Sequence, residues 1–333
     1  MHPVLLRLKL GAGHFELHSF GVLVAAGCAA AILFALREAR RRGIDEDTMR
    51  DLCFWTLIAS LVGARVVYLA SAGRGLWDEC LDAIHAGGLG PTFAACGKPL
   101  RIWQGGLVFY GGVMAGAATM WWYARRQNVS VRHVADVLAP SLALGHAVGR
   151  LGCFLAGCCF GKPAAGPLGI AFPDGSIALQ DHVARGLLPL HAEHTPPLHP
   201  TQLYEAIGEL ALFFALLRLA PRLRRAGDAT LLWLASYSAL RFVLEMFRGD
   251  VVRSFLTTVE TPSLNRLLGL PATEPSLLST SQAIALAVIA GSAAVVILRR
   301  LRPASDPAAD PRSSSSPDPA ASPGSPVAPT GDR

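Results

Sequence analysis

The stretch GHAVGRLGCFLAG (145–157) decides the fold class of this chain, because it places Arg150 inside a segment that is otherwise apolar. A guanidinium within hydrocarbon is costly even on lenient insertion scales, so a charged residue at this depth is retained for a purpose. Arg65, Arg241 and Arg248 lie in comparable surroundings. Arginine matches the geometry of a phosphate group better than lysine does. These residues predict a membrane protein that handles an anionic group, such as a phospholipid head.

The composition favours an integral membrane protein over a soluble one. The 333 residues are 52% hydrophobic and only 16% charged, whereas soluble domains carry about 25% charged residues. The net charge is +6, but the basic residues do not form a stripe with interleaved aromatic residues. Nucleic acid is therefore not expected as a partner.

Seven apolar windows reach the ~20 residues that a helix needs to cross a bilayer. They cover residues 17–36, 52–72, 103–124, 134–156, 201–220, 229–247 and 279–298. We therefore predict an all-α polytopic fold of about seven transmembrane helices. The longer connections are expected to form a small periplasmic cap: 73–102, 157–199 and 249–278.

Arginines cluster in the short connections that follow the first, third, fifth and seventh windows. By the positive-inside rule, this pattern predicts a periplasmic N-terminus and a cytoplasmic C-terminus in a bacterial inner membrane. Residues 1–302 form the predicted membrane domain. Residues 303–333 are rich in Pro, Ser, Ala and Asp and are predicted to be a disordered cytoplasmic tail.

The seven cysteines fall into three groups. Cys28 and Cys53 lie within apolar windows and are expected to be core residues. Cys80 and Cys96 share one outer connection, and the sequence leaves open whether they form a disulfide. The third group has C-x4-C-C spacing and comprises Cys153, Cys158 and Cys159. It lacks the paired C-x2-C spacing typical of zinc sites, so we predict neither a metal nor a cofactor.

Polar side chains from several windows fall at one depth, towards the predicted outer side. They are Tyr110, His146, Arg150, His199, Gln202, Tyr204, Glu205, Tyr237, Arg241, Glu245 and Arg248. Arg241 and Glu245 are one helical turn apart and can neutralise each other, and His146 can be a satisfied buried imidazole. Neither interpretation explains why two outward-running windows place arginines at the same level.

Four motifs, in this order, resemble the bacterial phosphatidylglycerol–prolipoprotein diacylglyceryl transferases. They are WQGGLVFYGG (103–112), GHAVGRLGCFLAGCCFG (145–161), HPTQLYEA (199–206) and RFVLEMFR (241–248). The resemblance implies transfer of the diacylglyceryl group of phosphatidylglycerol to the lipobox cysteine thiol of a preprolipoprotein, giving a thioether and glycerol phosphate. The implied partners are phosphatidylglycerol, lipobox-bearing signal peptides and membrane lipid.

The resemblance also implies roles for individual residues. Arg150 and Arg241 are expected to stabilise the charge that develops on the departing phosphate ester. Gly161 matches the glycine that closes the second motif, and Tyr237 matches a tyrosine four residues before the second arginine. The remaining expected substrate contacts are His199, Gln202, Tyr204, Glu205 and Arg248.

Several positions depart from the family pattern. The third-window motif commonly reads F-H-G-G, whose histidine is a candidate base, and Tyr110 stands there instead. Because a phenol titrates at about pH 10, His146 and His199 are alternatives to Tyr110 as the base. In the second motif, Cys153 replaces an asparagine, and the usual N-G-E reads Ala156-Gly157-Cys158.

Two other functions remain open from the sequence. A non-catalytic lipid- or lipoprotein-binding relative would keep the arginines and lose the base. A transporter would need polar residues along the whole path, yet the inner halves of the windows are mostly apolar, with Asp136 and Glu209 as exceptions.

Overall fold

The computed structural model describes residues 4–10, 13–101, 105–164, 166–223, 225–250, 255–259, 262–268, 270 and 277–301. Within these residues the chain forms ten α-helices and four short strands. The helices are α1 (Ser19–Arg41), α2 (Glu46–Ala86), α3 (Leu89–Cys96), α4 (Phe109–Arg126), α5 (Val131–Ala156), α6 (Ile177–Ala184), α7 (Thr201–Leu219), α8 (Asp228–Phe247), α9 (Pro262–Leu267) and α10 (Thr280–Leu301). The strands form two antiparallel pairs, β1 (Val4–Leu10) with β2 (Gly13–His18) and β3 (Phe255–Val259) with β4 (Leu277–Ser279).

Each predicted apolar window overlaps one long helix. Five of these helices are long and apolar enough to cross a membrane, namely α1, α2, α5, α8 and α10. The other two helices are α4 and α7, and α7 carries three charged residues, Glu205, Glu209 and Arg218. The all-α polytopic membrane fold is therefore confirmed, while the count of seven spans stays a prediction. The predicted tail, 303–333, lies outside the described residues.

The segment 73–102, which the sequence analysis assigned to a connection in the predicted periplasmic cap, is mostly helical in its described part. Helix α2 has 41 residues and at 1.5 Å per residue extends about 61 Å, twice the ~30 Å of bilayer hydrocarbon. Residues 76–86 contain no proline and are rich in helix formers, which explains why the helix continues past Gly73 and Gly75. A disulfide between Cys80 and Cys96 fastens α3 against this extension.

Glycines allow two of the main helix pairs to approach closely. Helix α1 packs on α5 and α2 packs on α4. A Cβ added to Gly27 of α1 would lie 2.7 Å from the carbonyl oxygen of Gly145 in α5, and one added to Gly63 would lie 2.6 Å from that of Gly111. No side chain fits at either crossing, so backbone contacts backbone.

Two buried charged residues serve the fold through hydrogen bonds to backbone. Arg65 of α2 donates to the carbonyl oxygens of Lys98, Pro99, Gly105 and Gly106, at 2.6 to 3.0 Å. It therefore holds the chain between α3 and α4. The Asp136 carboxylate of α5 accepts hydrogen bonds from the Gly227 and Thr230 amides and the Thr230 hydroxyl at the start of α8.

The connection between α5 and α7 forms a small folded cap over one end of the helices. Its core contains Phe160, Phe172, Ala178 and Leu198, against which Phe154 of α5 packs. Short antiparallel bridges join Pro163 and Ile170 to Leu198. The chain between α5 and α7 is thus a compact unit with a fixed position on the helix ends.

Candidate active site

Ionisable side chains from three helices meet where α5 and α8 end and α7 begins. The cluster comprises His146 and Arg150 from α5, Glu205 and Glu209 from α7, and Arg241 and Glu245 from α8. All three glutamates are buried, and Glu209 has no exposed surface. Of the polar residues predicted to lie at one depth, this cluster contains His146, Arg150, Glu205, Arg241 and Glu245.

Glu205 lies between the two arginines. Arg150 donates from Nη2 to Glu205 Oε1 at 3.0 Å, and its Nε lies 3.0 Å from Oε2. Arg241 Nη1 lies 3.8 Å from the same Oε2. One carboxylate thus faces two guanidinium groups, an arrangement that compensates charge in apolar surroundings.

Arg241 also forms the intrahelical ion pair that the sequence suggested. Its Nη2 lies 3.1 Å from Glu245 Oε2, one turn further along α8. This pair accounts for only part of the guanidinium, because the buried Nη1 has no hydrogen-bond partner among the described residues. Buried polar atoms are nearly always hydrogen-bonded, so Nη1 is able to donate to a ligand atom.

The His146 ring lies between the Glu209 carboxylate and the Arg150 guanidinium. Its Nδ1 is 2.8 Å from Glu209 Oε1, and its Nε2 accepts a hydrogen bond from Arg150 Nε at 3.1 Å. Because Nε2 accepts a hydrogen bond, Nδ1 carries the ring proton and donates a hydrogen bond to Glu209 Oε1. The ring packs edge-on against Tyr237, at 5.6 Å between centroids, and Tyr237 stacks on Trp233.

The first residues of the HPTQLYEA motif hold the cap. Gln202 donates from Nε2 to the Cys158 carbonyl at 2.7 Å, and the Thr201 hydroxyl donates to the Cys159 carbonyl at 2.6 Å. His199 contacts the Tyr204 hydroxyl through Nδ1 at 3.1 Å. Burial lowers the pKa of His199, so the ring is neutral at physiological pH. His199 Nε2 and Gln202 Oε1 are buried without hydrogen-bond partners in the described part of the chain.

Gly161 occupies the crossing of three chain segments. Its amide donates to the His199 carbonyl at 2.9 Å, and the next amide, of Lys162, donates to the Phe247 carbonyl at 2.7 Å. A Cβ on Gly161 would lie 2.6 Å from both the Cβ and the carbonyl oxygen of His199. Only glycine fits here, and this crossing ties the end of α8 to the start of α7. Gly161 thus serves the site through backbone.

The structure does not bring Tyr110 into the cluster. Tyr110 lies in the first turn of α4 with 57% of its surface exposed, and its ring contacts Phe109. Among the described residues, no hydrogen bond or ion pair joins Tyr110 to the cluster. Arg248 follows α8 at the edge of the cluster, where it binds both carboxylate oxygens of Asp250 and interacts electrostatically with Glu245.

Glu209 is the cluster member that sequence analysis did not select. It had been noted only as a charged exception in an apolar half-helix. Glu205 and Glu209 are four residues apart and so lie on one face of α7. That spacing was the available signal, and it places Glu209 where it contacts His146.

The cluster can bind an anion and accept a proton. It contains two guanidinium groups for phosphate recognition. It also contains the His146 imidazole, whose Nδ1 is hydrogen-bonded to the Glu209 carboxylate. Five buried polar atoms around it lack a hydrogen-bond partner within the described chain: His199 Nε2, Gln202 Oε1, Glu209 Oε2, Trp233 Nε1 and Arg241 Nη1. A polar ligand that enters among these helices would therefore find both donors and acceptors.

Sequence comparison gives one consistent result. Proteins similar to this chain include the phosphatidylglycerol–prolipoprotein diacylglyceryl transferases of Clostridium tetani (28% identical over 250 residues, 75% of this chain and 86% of the relative) and Thermosynechococcus vestitus (31% over 243 residues, 72% and 81%). That of Geobacter sulfurreducens is 30% identical over 249 residues, which is 74% of this chain and 82% of the relative. The family profile described as prolipoprotein diacylglyceryl transferase matches residues 5–298. The buried arginines thus lie within a match that covers almost all of the helical part, and the chain belongs to the prolipoprotein diacylglyceryl transferase family.

Proposed function

We propose that this protein transfers the diacylglyceryl group of phosphatidylglycerol to the lipobox cysteine thiol of preprolipoproteins, the first step of lipoprotein maturation. Membership of the family and the names of the relatives support the activity. The observation that carries the proposal is the convergence of Arg150 and Arg241 on one carboxylate, while Arg241 Nη1 has no hydrogen-bond partner among the described residues. A phosphodiester supplies the anionic oxygens that such a pair binds.

The reaction forms one bond and breaks one. The cysteine sulfur attacks the carbon of the diacylglyceryl group that bears the phosphate ester. A C–S bond forms at this carbon, and its C–O bond to the phosphate breaks. The products are a thioether and glycerol phosphate, and the thiol proton passes through a base to the released phosphate. Because the thiolate is the nucleophile, the site must remove that proton. Because charge grows on the departing ester, the site must also hold cations at that oxygen.

The arginines supply the positive charge that the departing phosphate ester needs. Glu205 marks a position between two guanidinium groups where an anionic oxygen is held. A phosphate that binds Arg241 Nη1 and competes with Glu205 for Arg150 would be contacted by both side chains. The flat, forked guanidinium donates two parallel hydrogen bonds, which a lysine does not reproduce.

In this proposal His146 is the base that removes the thiol proton. Its Nε2 lone pair is held by Arg150 Nε, while its Nδ1–H is held by Glu209. When Arg150 turns to the phosphate, Nε2 is released and can accept the thiol proton, and Glu209 stabilises the resulting imidazolium. Substrate binding thereby activates the base. Tyr110, which is exposed on α4, is not needed in this scheme.

The competing functions have less support. A transporter needs polar groups along a path, and the two inner charged residues already have structural partners: Asp136 binds the start of α8, and Glu209 binds His146. A non-catalytic binding relative is favoured only by the replacement of the family histidine with Tyr110. The His146–Glu209 pair offers a different base, so this replacement does not remove catalysis.

The location follows from the same proposal. The protein resides in the bacterial inner membrane, with the N-terminus periplasmic and residues 303–333 forming a cytoplasmic tail. The arginine-rich connections after α1, α4, α7 and α10 support this orientation. The cluster and the cap then lie on the periplasmic side, where exported preprolipoproteins emerge.

Lysine substitution tests the arginines. We expect Arg150→Lys and Arg241→Lys each to raise the barrier by about 2–4 kcal/mol, a loss of roughly 30- to 1,000-fold in turnover. The exposed Arg74→Lys of α2 is the matched control and should turn over normally. Purified protein is incubated with phosphatidylglycerol and a lipobox peptide, and the diacylglyceryl adduct is quantified by mass spectrometry. Normal turnover in both cluster variants would disprove the leaving-group role.

A double substitution separates catalysis from charge neutralisation at Arg241. If Arg241 served only to balance Glu245, the Arg241→Ala/Glu245→Ala protein would regain the activity that Arg241→Ala loses. We expect no such recovery, because Arg241 Nη1 faces Glu205 rather than Glu245. The same adduct assay measures this, with detergent size-exclusion profiles to show that each protein is folded. Recovery of turnover by the double variant would assign Arg241 to structure.

Three variants identify the base. His146→Asn is expected to lose at least about 100-fold in turnover, the lower end for general base catalysis. Glu209→Gln should also lower turnover, because Glu209 holds His146 Nδ1, whereas Tyr110→Phe should retain nearly full activity. His133→Asn, an exposed histidine at the other end of α5, is the control. A large loss in Tyr110→Phe with activity retained in His146→Asn would reverse the assignment.

Reporter fusions test the orientation. A fluorescent protein that matures only in the cytoplasm should give signal when fused after Leu301. The same reporter fused after Gly88, between α2 and α3, should remain dark, because that connection is periplasmic in the proposed topology. An alkaline phosphatase series at the same two positions serves as the reciprocal control. The opposite pattern would place the cluster at the cytoplasmic face.

A further inference from the structure

Three cysteines from the end of α5 and the turn that follows it come together beside the ion cluster. Cys153 lies in the last turn of α5, and Cys158 and Cys159 follow in the turn that leaves the helix. Their sulfur atoms all lie within 4.8 Å of one another, and the three residues are partly buried. The C-x4-C-C spacing gave no indication of a site, because the fold rather than the spacing brings the sulfurs together.

The backbone is shaped to produce this grouping. Helix α5 ends at Ala156 and is capped by Gly157 in the left-handed conformation, with φ of +73°, and Cys159 also has a positive φ of +58°. A non-glycine residue in that region is strained, and such residues cluster at functional sites. The two turns direct the chain back on the helix, so that Cys158 donates its amide proton to the Cys153 carbonyl.

The turn is also fixed from the opposite side. Thr201 and Gln202, at the start of α7, donate hydrogen bonds to the carbonyl oxygens of Cys159 and Cys158. Both carbonyl groups are thereby held against α7, and the three sulfurs are positioned by two helices. Ligands held in this way lose little conformational entropy on binding a metal ion.

We propose that Cys153, Cys158 and Cys159 bind one thiophilic d10 cation, Cu(I) or Zn(II). Soft thiolate ligands select these ions. At metal–sulfur distances of about 2.3 Å, the sulfurs of such a shell lie about 3.8–4.0 Å apart. The observed separations therefore close with small side-chain rotations. Three sulfurs complete a trigonal Cu(I) shell and leave one position open on tetrahedral Zn(II).

The surrounding charge suits three thiolates. Binding releases three thiol protons to solvent and forms three metal–sulfur bonds, which leaves a complex of net charge −2 with Cu(I) or −1 with Zn(II). Arg150 Nη1 lies 4.0 Å from the Cys153 sulfur, and Arg150 and Arg248 both interact electrostatically with Cys159. These two guanidinium groups, which also pair with Glu205 and Asp250, are the cations that face the remaining negative charge. The chain departs from the family pattern at Cys153 and Cys158, where the resemblance implies asparagine and glutamate.

Metal stoichiometry tests the site directly and does not depend on the proposed transferase activity. The full-length protein in detergent is stripped with chelators, then dialysed anaerobically against Zn(II), or against Cu(I) kept reduced by ascorbate, which spares the Cys80–Cys96 disulfide. Bound metal is measured by mass spectrometry. We expect about one ion per chain, abolished in Cys153→Ser and in Cys158→Ser. Cys28→Ser, a free cysteine of α1, is the matched control and should bind normally.

A second measurement on the unsubstituted protein guards against variants that fail to fold. Co(II) substitution should give thiolate-to-metal charge-transfer bands of the intensity expected for three thiolates, and added Zn(II) should remove them. Bound metal that persists unchanged in both serine variants would overturn the proposal, as would a chain that binds none. Peptide mapping that finds a disulfide within the cluster in the freshly isolated protein would also overturn it, since two of the ligands would then be consumed.

Discussion

The Glu205 carboxylate lies between Arg150 and Arg241, and these ion pairs join three helices of the bundle. Charged side chains among apolar helices are tolerated only when they are paired and hydrogen-bonded, and removal of one partner leaves an uncompensated buried charge. Because the three residues belong to α7, α5 and α8, their pairing requires these helix ends to meet at one level. The Gly161 crossing and the Asp136 contact to α8 then hold the same helices at two further points. The packing of the bundle is thus organised around its charges.

The charge balance of the cluster connects this architecture to catalysis. Two arginines face three glutamates, so with a neutral His146 and ionised acids the group carries one excess negative charge. A bound phosphodiester adds another, which favours uptake of a proton within the cluster. In the proposed mechanism His146 accepts this proton at Nε2, while Glu209 Oε1 holds Nδ1. The reaction supplies such a proton from the thiol. Anion binding and thiol deprotonation therefore support each other electrostatically.

Much of the fold follows from the sequence, because hydrocarbon admits few solutions for a backbone. Each apolar window became a helix, and the arginines in two of them did converge. The extent of α2 was missed, since hydropathy marks where a helix leaves the membrane and not where it ends. The site was predicted less completely, because apolar surroundings identify a buried charge without naming its partner. Arg65 binds carbonyl oxygens of a connecting segment, and Glu209 became part of the cluster only through the packing of α7 on α5.

The first two turns of α7 join the two chemical groupings of the protein. Thr201 and Gln202 hold the carbonyl groups of the cysteine turn, and Glu205, one turn further along α7, contacts both arginines. Arg150 completes the link, because it contacts Glu205 through Nη2 and lies beside the Cys153 sulfur through Nη1. A change in charge at the three sulfurs would therefore act on Arg150 directly. If Arg150 turns from Glu205 and His146 to a phosphate during the proposed reaction, we expect the proposed metal occupancy of the thiol cluster to change the activity of the arginine site.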